Sequence, residues 1–540
     1  MILCTMALGS CDKFLDMTPT DSVSDKLVWS KPEYAEMAIN DLYHIMSYMG
    51  QFDLGQSAAG LTEGMTDELK YGSTQLNTHM WFANEIAYAK DGLSASTAAF
   101  YLTSWSYFYD RMTSINQSLS NLKEYGASYP EGVATRLEAE LRFWRGYVYF
   151  ELVRRHKNVI IYREDMQSIT KNKALSSEEE GWAIVKDDLR FAAQNLPETS
   201  DKGRLTCYAA WAMLSRAMLY AEDWEAARDA AKEVMDSGKY SLTAEYSDSY
   251  SKTPAQGNTE AILVYEYSKE GVTHNFDDYF CPGGDPGRVM GALGTPTQEM
   301  VESYEYAKGG VPDWSAWHSA NGTTQTPPYD LLEPRFQATV LYNGADWKGR
   351  KIESFVGGND GYIEWKSKPT VDGKTTTGYF LRKLVCESHD LSAYSRSTQP
   401  WVAIRYAEVL LNYAEACLKL SEDEAARNAI NEVRTRVNLP KATQSSVALM
   451  KILRRERKVE LAYEGHQWWD LRRWELSESQ LTGYRVHGLR IDPVGVGQWR
   501  YTYVDCDGQD RYFPAKLYRI PLPQSELENN SEVSQFEEWR

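Results

Sequence analysis

The sequence predicts a mainly α fold in which helical hairpins form a scaffold and an irregular, loop-rich region carries short strands. Three observations lead there. Long segments before residue 237 and again after 401 repeat apolar residues at helical spacing. Between 238 and 400 that pattern breaks into short strand-like runs divided by Gly/Pro loops. Past residue 10 no run of 18 apolar residues occurs, so none of the helices reads as a bilayer span.

In chain order, Leu8-Gly9-Ser10-Cys11 resembles a bacterial lipobox, in which the cysteine receives a lipid. Residues 1–10 hold no Lys or Arg, so they read as a partial lipoprotein signal peptide. Residues 11–30 are polar and suit a tether. Pro32 opens a helix over Lys31–Met49, with Ala35, Ile39, Leu42 and Met46 on one stripe. Residues 50–98, rich in Gly, Ser, Thr and Asn, read as a long loop region carrying Tyr71, Trp81 and Phe82. Helices are predicted over Phe100–Tyr125, Val133–His156, Glu178–Gln194, Leu205–Ala221 and Trp224–Ser237. The last two are spaced like a degenerate tetratricopeptide hairpin. Strands are expected at Ala261–Tyr267 and Phe336–Tyr342, and helices at Val402–Leu420, Glu422–Val437 and Ser445–Tyr463; the remainder to Arg540 reads as loops and short strands. The divisions are thus 1–10, 11–30, a helical region 31–237, a loop-rich insertion 238–400 and a helical region with tail 401–540, within one compact domain.

A formal charge of −18 opposes nucleic-acid binding, which needs a basic footprint. Seven cysteines at irregular spacing, without CxxC, are no disulfide framework, and Cys207 and Cys417 read as core. Tyr (36) outnumbers Phe (15), which favours rings with one dry and one wet edge. Enzyme templates fail. Val371-Asp-Gly-Lys-Thr375 has Lys368 where a P-loop needs glycine, and Gly55-Gln-Ser-Ala-Ala59 lacks the last glycine of a nucleophile elbow. No histidine pair has helical zinc spacing, and Asp505-Cys-Asp-Gly-Gln-Asp510 reads as a solvated turn rather than a calcium loop. Glu456, Glu460 and Glu464 share one helical face. With Arg455, Arg457, Arg472, Arg473, Arg405, Arg434 and Arg436 available, a buried ionic lattice is the preferred reading over a glycosidase carboxylate pair.

Trp401-Val-Ala-Ile-Arg-Tyr-Ala-Glu-Val-Leu-Leu-Asn-Tyr-Ala-Glu415, Ala429-Ile-Asn-Glu-Val-Arg-Thr-Arg436 and Ile452–His466 running into Trp468-Trp-Asp-Leu-Arg-Arg-Trp474 together resemble the SusD/RagB family of outer-membrane nutrient-binding lipoproteins. The segment Glu138–Val153 resembles its central helix, and Pro296–Tyr304, Pro334-Arg-Phe336 and Thr377–Lys383 match further blocks in order. Two places depart: Lys157-Asn-Val-Ile160 replaces a Gly-Asp-Val-Pro turn, and Gln535 is followed by Phe-Glu-Glu-Trp539. The resemblance implies a non-enzymatic, cofactor-free protein anchored through Cys11 at the outer face of the outer membrane. It would capture an oligosaccharide and deliver it to a SusC-like TonB-dependent transporter. On the same analogy the ligand is met by Trp81 and Tyr71 from the early loop and by Trp314, Trp317 and Tyr279 from the middle region, with Asp67, Asn77 and Arg288 as polar partners. An oligopeptide-binding lipoprotein and a protein-interaction scaffold are the alternatives, whereas Trp468, Trp469 and Trp474 read as core.

Overall fold

The computed structural model describes residues 25–50, 52, 62–71, 86–88, 90–163, 172–200, 203–364 and 373–540. Cys11, Asn77 and Trp81 lie outside these described residues. After a single turn at Asp25–Val28, helix α1 (Pro32–Asn40) passes through a 3-10 turn, Asp41–His44, into Ile45–Met49, so the predicted single helix is segmented. A second expected helix is also divided. Ala95–Leu102 is separated from α2 (Trp105–Tyr125) by Ser104, whose φ of 48° no helix admits. The next helix, α3 (Val133–His156), has the predicted bounds and is buried on almost every side, which makes it the central rod. A capping box between Ser177 and Glu180 starts α4 (Glu178–Asn195). Two glycines bring α3 and α4 close together. A Cβ on Gly146 would lie 2.9 Å from Leu189 Cγ, and one on Gly181 2.7 Å from Val153 Cγ2. Across the same contact Arg145 donates to Asp188 (2.7 and 2.9 Å) and to Asn116 (3.1 Å).

The tetratricopeptide-like hairpin is α5 (Cys207–Tyr220) and α6 (Trp224–Asp236), capped by the Thr206 and Asp223 side chains. It packs on α7 (Tyr406–Lys419), where Arg216 holds Glu408 through two bonds of 2.6 Å. Three further helices follow: α8 (Asp423–Arg436), α9 (Ser446–Glu460) and α10 (Gln467–Arg473). Cys207 and Cys417 are buried, Trp468 and Trp469 are core, and Trp474 is half-buried.

Strands pair two by two and antiparallel, the longer pairs being β1 (Leu69–Tyr71) with β3 (Gly294–Pro296), β2 (Ala261–Tyr265) with β4 (Trp401–Arg405), and β5 (His487–Gly495) with β6 (Gln498–Asp505). Three expectations are corrected. The helix expected from Val402 starts only at Tyr406, because the four-residue apolar run Trp401–Ile404 fits strand or helix and β2 supplies an edge for it. Phe336–Tyr342 is mostly a helix, Pro334–Thr339, with Pro334 in its first turn; only Val340–Leu341 pairs, with Phe380–Leu381. The tail holds α10 and a long hairpin in place of short strands.

The ionic lattice is present and is fed from more directions than the sequence suggested. Glu460 is bound by Arg405 (2.7 Å), Arg436 (2.5 Å) and Arg335 (3.1 Å). Glu464 takes Arg405 (2.8 Å) and Lys383 (2.6 Å), whereas Glu456 takes Arg335 (2.8 Å) and Arg434. Glu260, Glu305 and Glu333 complete it against Arg405 and Arg436, Arg434, and Arg335 respectively. Burial opposes the Glu460 charge, but Arg436, Arg405 and Arg335 overcome it and hold the carboxyl far below its usual range. Burial likewise opposes the Glu464 charge, and Arg405 and Lys383 depress it. Of the other arginines on offer, Arg457 pairs with Asp470 (2.7 Å), Arg473 with Glu415 (2.5 Å), and Arg455 only distantly with Glu305 (3.5 Å). Arg472 has no carboxylate partner among the described residues.

Glu415 gives a pH test. Burial raises its pKa, but Arg473 and Arg457 outweigh that and set it at about 2, against 4.5 for a free glutamate. A carboxyl depressed on folding adds stability above the unfolded pKa and loses it as pH falls through the folded one. Urea unfolding free energy is therefore expected to hold level down to about pH 5 and to fall between about 4.5 and 2. Glu415→Gln is expected to flatten that fall and to cost on the order of 3 kcal/mol at pH 7. A variant with an unchanged acid limb would remove Glu415 from this role.

Candidate functional site

The predicted ligand residues come from loops that the small strand pairs fasten down. In the first pair Tyr71 lies opposite Gly294, and a Cβ on Gly294 would meet Tyr71 Cε1 at 2.9 Å and Phe280 Cε1 at 3.1 Å. Glycine is thus the residue that lets the Tyr71 ring approach β3 closely. That ring is 2% exposed, so it backs the surface and offers no face to solvent. Asp67, two residues before β1, is half-buried, and both its oxygens accept from Lys458 Nζ at 2.9 Å. It lines a cleft of about 410 Å³ with Glu299, Glu302, Arg454, Arg455 and Trp474.

The loop entering β3 carries the next two. Tyr279 is half-buried, and its carbonyl accepts from Leu293 N at 2.8 Å. Arg288 turns its guanidinium onto its own loop, donating to the carbonyls of Gly283 (2.6 Å) and Met290 (2.8 Å), while neighbouring Val289 is 71% exposed. Trp314 and Trp317 lie elsewhere. They pack against each other with centroids 5.4 Å apart, Trp317 Nε1 donates to Gln325 O, and both are buried. The structure thus brings Tyr71, Tyr279 and Arg288 to one loop cluster, with Asp67 at its edge. It sets the two tryptophans inside a separate loop, against the hairpin, where Thr323 exchanges backbone bonds with Tyr501 (2.9 and 2.8 Å).

The hairpin supplies rings that sequence reasoning missed. Strand alternation places Trp499, Tyr501 and Tyr503 on one face of β6. Tyr501 is buried, whereas Trp499 and Tyr503 are half-buried. Trp499 stacks on Phe355 at 4.5 Å, also half-buried. Tyr503 lies between His487 (4.3 Å) and His318 (4.7 Å). Each histidine is held by a carboxylate of one short segment: His487 by Glu299 and His318 by Glu302, both at 2.6 Å. The segment carrying Phe355 is tied to the Arg288 loop, since Gly284 N donates to Asp360 Oδ1 at 2.8 Å and Arg350 bridges Asp285 and Asp360. Tyr279, Phe355, Trp499 and Tyr503 therefore belong to loops and a hairpin bonded into one chain of contacts. The period-2 aromatic run Trp499-Arg-Tyr501-Thr-Tyr503 was the available signal.

The turn after β6 also differs from its reading. Asp507 is buried, bonding Lys70 (3.0 Å), Arg511 (2.8 Å) and Tyr88 (2.5 Å), so the segment fastens the early loop and is not simply solvated.

A model described as the SusD family matches residues 259–539, more than half of the chain. The chain belongs to the SusD family. A second model, described as starch-binding associating with outer membrane, matches residues 13–219. Among curated relatives, a SusD-like protein of Bacteroides ovatus is 26% identical over 579 residues, spanning 98% of this chain and 96% of the relative. SusD-like protein P38 of Formosa agariphila is 21% identical, over 92% and 94% of the two chains. Among solved structures, a SusD-like protein from Bacteroides fragilis superposes with a TM-score of 0.78 at 26% identity, covering 95% of this chain and 98% of that one. A SusD-like carbohydrate binding protein from the same strain gives 0.78 at 24% identity, covering 94% and 100%.

SusD membership accounts for the motif blocks as scaffold. Arg335, Lys383, Arg405, Arg434 with Arg436, and the three glutamates come from separate blocks, and the fold joins them in one ionic lattice. Glu460 and Glu464 lack the surroundings of a general acid. Glu460 and Glu464 are held deprotonated by arginine, whereas a general acid needs its pKa raised. Among the described residues no helix is long and apolar enough to cross a membrane.

Proposed function

We propose that this SusD-family protein is a non-enzymatic receptor that captures an oligosaccharide outside the cell and passes it to a SusC-like TonB-dependent transporter. Cys11 would carry the lipid that holds it on the outer membrane. The observation that carries this reading is the match of residues 13–219 to a family model described as starch-binding associating with outer membrane. A solved structure named as a SusD-like carbohydrate binding protein shares the fold. The geometry is compatible: half-buried rings beside amides and carboxylates are what a sugar needs, apolar faces for its C–H groups and acceptors for its hydroxyls.

Within that reading Tyr279, Arg288 and Asp67 remain proposed ligand contacts, together with Trp81 and Asn77, which lie outside the described residues. Tyr71, Trp314 and Trp317 are assigned instead to supporting them, because their rings are buried. Trp499, Phe355 and Tyr503 are added as exposed edges of the platform. Truncating one stacking ring removes about 1 kcal/mol of aromatic contact, so Trp499→Ala and Tyr279→Ala are each expected to weaken glycan binding several-fold to about tenfold. Calorimetry with the oligosaccharide selected by a glycan array measures this; unchanged affinity in both variants would move the site elsewhere. Binding of peptides and of no glycan would establish the oligopeptide reading instead.

A further inference from the structure

A second site is indicated on the helical side of the molecule, independent of the surface proposed above. Helices α3, α4, α5 and α10 enclose a groove of about 860 Å³ whose lining includes Arg154, Trp182, Tyr220, Trp469 and Arg472. Its floor carries more positive charge than the fold neutralises. Glu151 is the carboxylate for both Arg154 and Arg155. Among the described residues Arg472 has none: Nη2 donates to the Tyr518 carbonyl at 3.0 Å, while Nε and Nη1 are buried without an acceptor. Its guanidinium lies 4.6 Å from the Trp468 ring and 4.9 Å from Trp469, and Arg154 covers Trp469 at 4.0 Å. Arg473, the remaining arginine of the lining, is already matched by Glu415 and Asp470. At the rim Lys157 and Lys186 face Glu178 (3.8 Å) and Asp223 (2.6 Å), with Glu179, Glu222 and Glu475 exposed beyond them.

An unmatched, buried guanidinium is costly, since desolvation is repaid only by a hydrogen-bonded anion. Indole faces offset part of that cost but accept no N–H bonds at the guanidinium edge. Burial and the adjacent Arg155 and Arg154 push Arg472 down to about 9, in keeping with a position lacking its counter-charge.

We propose that the groove binds a single carboxylate group, which enters between Trp182 and Tyr220 and completes the Arg154–Arg472 floor. The acidic rim selects against long polyanions and in favour of one carboxylate on a small or uncharged body. Arginine suits this role because its guanidinium keeps N–H donors open for a carboxylate oxygen after Nη2 has bonded the Tyr518 carbonyl.

The test uses the full chain and follows tryptophan fluorescence, because Trp468 and Trp469 lie against the cation. Sodium acetate, sodium glucuronate and neutral glucose are titrated at constant ionic strength set with NaCl. Saturable quenching or enhancement with acetate or glucuronate, and none with glucose, is the expected result. Saturation with glucuronate but not acetate also supports the site and assigns the carrier to a sugar acid. Arg472→Met is expected to weaken the response at least tenfold while keeping or raising Tm without anion, since it removes an unpaired buried charge. Arg154→Gln, on the more accessible side of the floor, is the second variant should Arg472→Met fail to fold, with at least a fivefold loss expected. No saturable response to either carboxylate in the wild-type protein, or an undiminished response in the variants, would overturn the proposal.

Discussion

Glu460→Ala is expected to destabilise the protein by about 3–5 kcal/mol, the range for removing one partner of a buried ion pair. The reason lies in what remains. Arg335, Arg405 and Arg436 all direct N–H groups at this carboxylate, and all three are buried. Without it they repel one another across a dry space and lose several hydrogen bonds at once. Because the three arginines come from the segment after Pro334, from β4 and from α8, the damage spreads across the junction between the loop-rich region and the C-terminal helices. Glu460→Gln keeps the size and part of the bonding, so it is expected to lose less. Arg405→Met is expected to fall near Glu460→Ala, since it strips partners from Glu260, Glu460 and Glu464 together. Urea unfolding at pH 7 checks all three. Losses below about 1 kcal/mol would mean that the lattice is marginal to stability.

Cys11→Ser is expected to abolish membrane association in cells with an intact outer membrane. No described helix can span a bilayer, and a net charge of −18 gives no attraction to anionic lipid. In the function proposed above the anchor is the acyl chains on Cys11, each buried methylene contributing about 0.8 kcal/mol, with two or more chains sufficing for stable attachment. Detergent phase separation measures it: wild-type protein in the detergent phase, the variant in the aqueous phase. A variant that still partitions into detergent would exclude Cys11 as the attachment point.

What was legible in the sequence was the scaffold. The bounds of α3, α4 and α8 follow from apolar periodicity and from caps such as Ser177-x-x-Glu180, which act within one turn. The lattice was legible in part, because Glu456, Glu460 and Glu464 recur at a spacing of four beside many arginines; α9 itself ends at Glu460, and Glu464 reaches the lattice from the turn beyond it. Arg335, Lys383 and Glu260 were not, since they reach it from segments distant in the chain. The β4 strand reads as helix because its four apolar residues carry no period long enough to decide, and its partner strand lies well over a hundred residues upstream. Which aromatic rings reach the surface was the least legible. Nothing local separates Trp314, held inside a loop, from Trp499, half-buried on a hairpin; only the surrounding chain decides which ring meets solvent.

The central proposal, capture of a glycan by loops on a helical scaffold, is tested most directly by binding of the purified, lipid-free chain to a glycan array, followed by calorimetry on the best oligosaccharide. The expected result is saturable binding to one related group of oligosaccharides, weakened by Tyr279→Ala or Trp499→Ala with the fold intact. Saturable binding to peptides together with no binding to any glycan would contradict it.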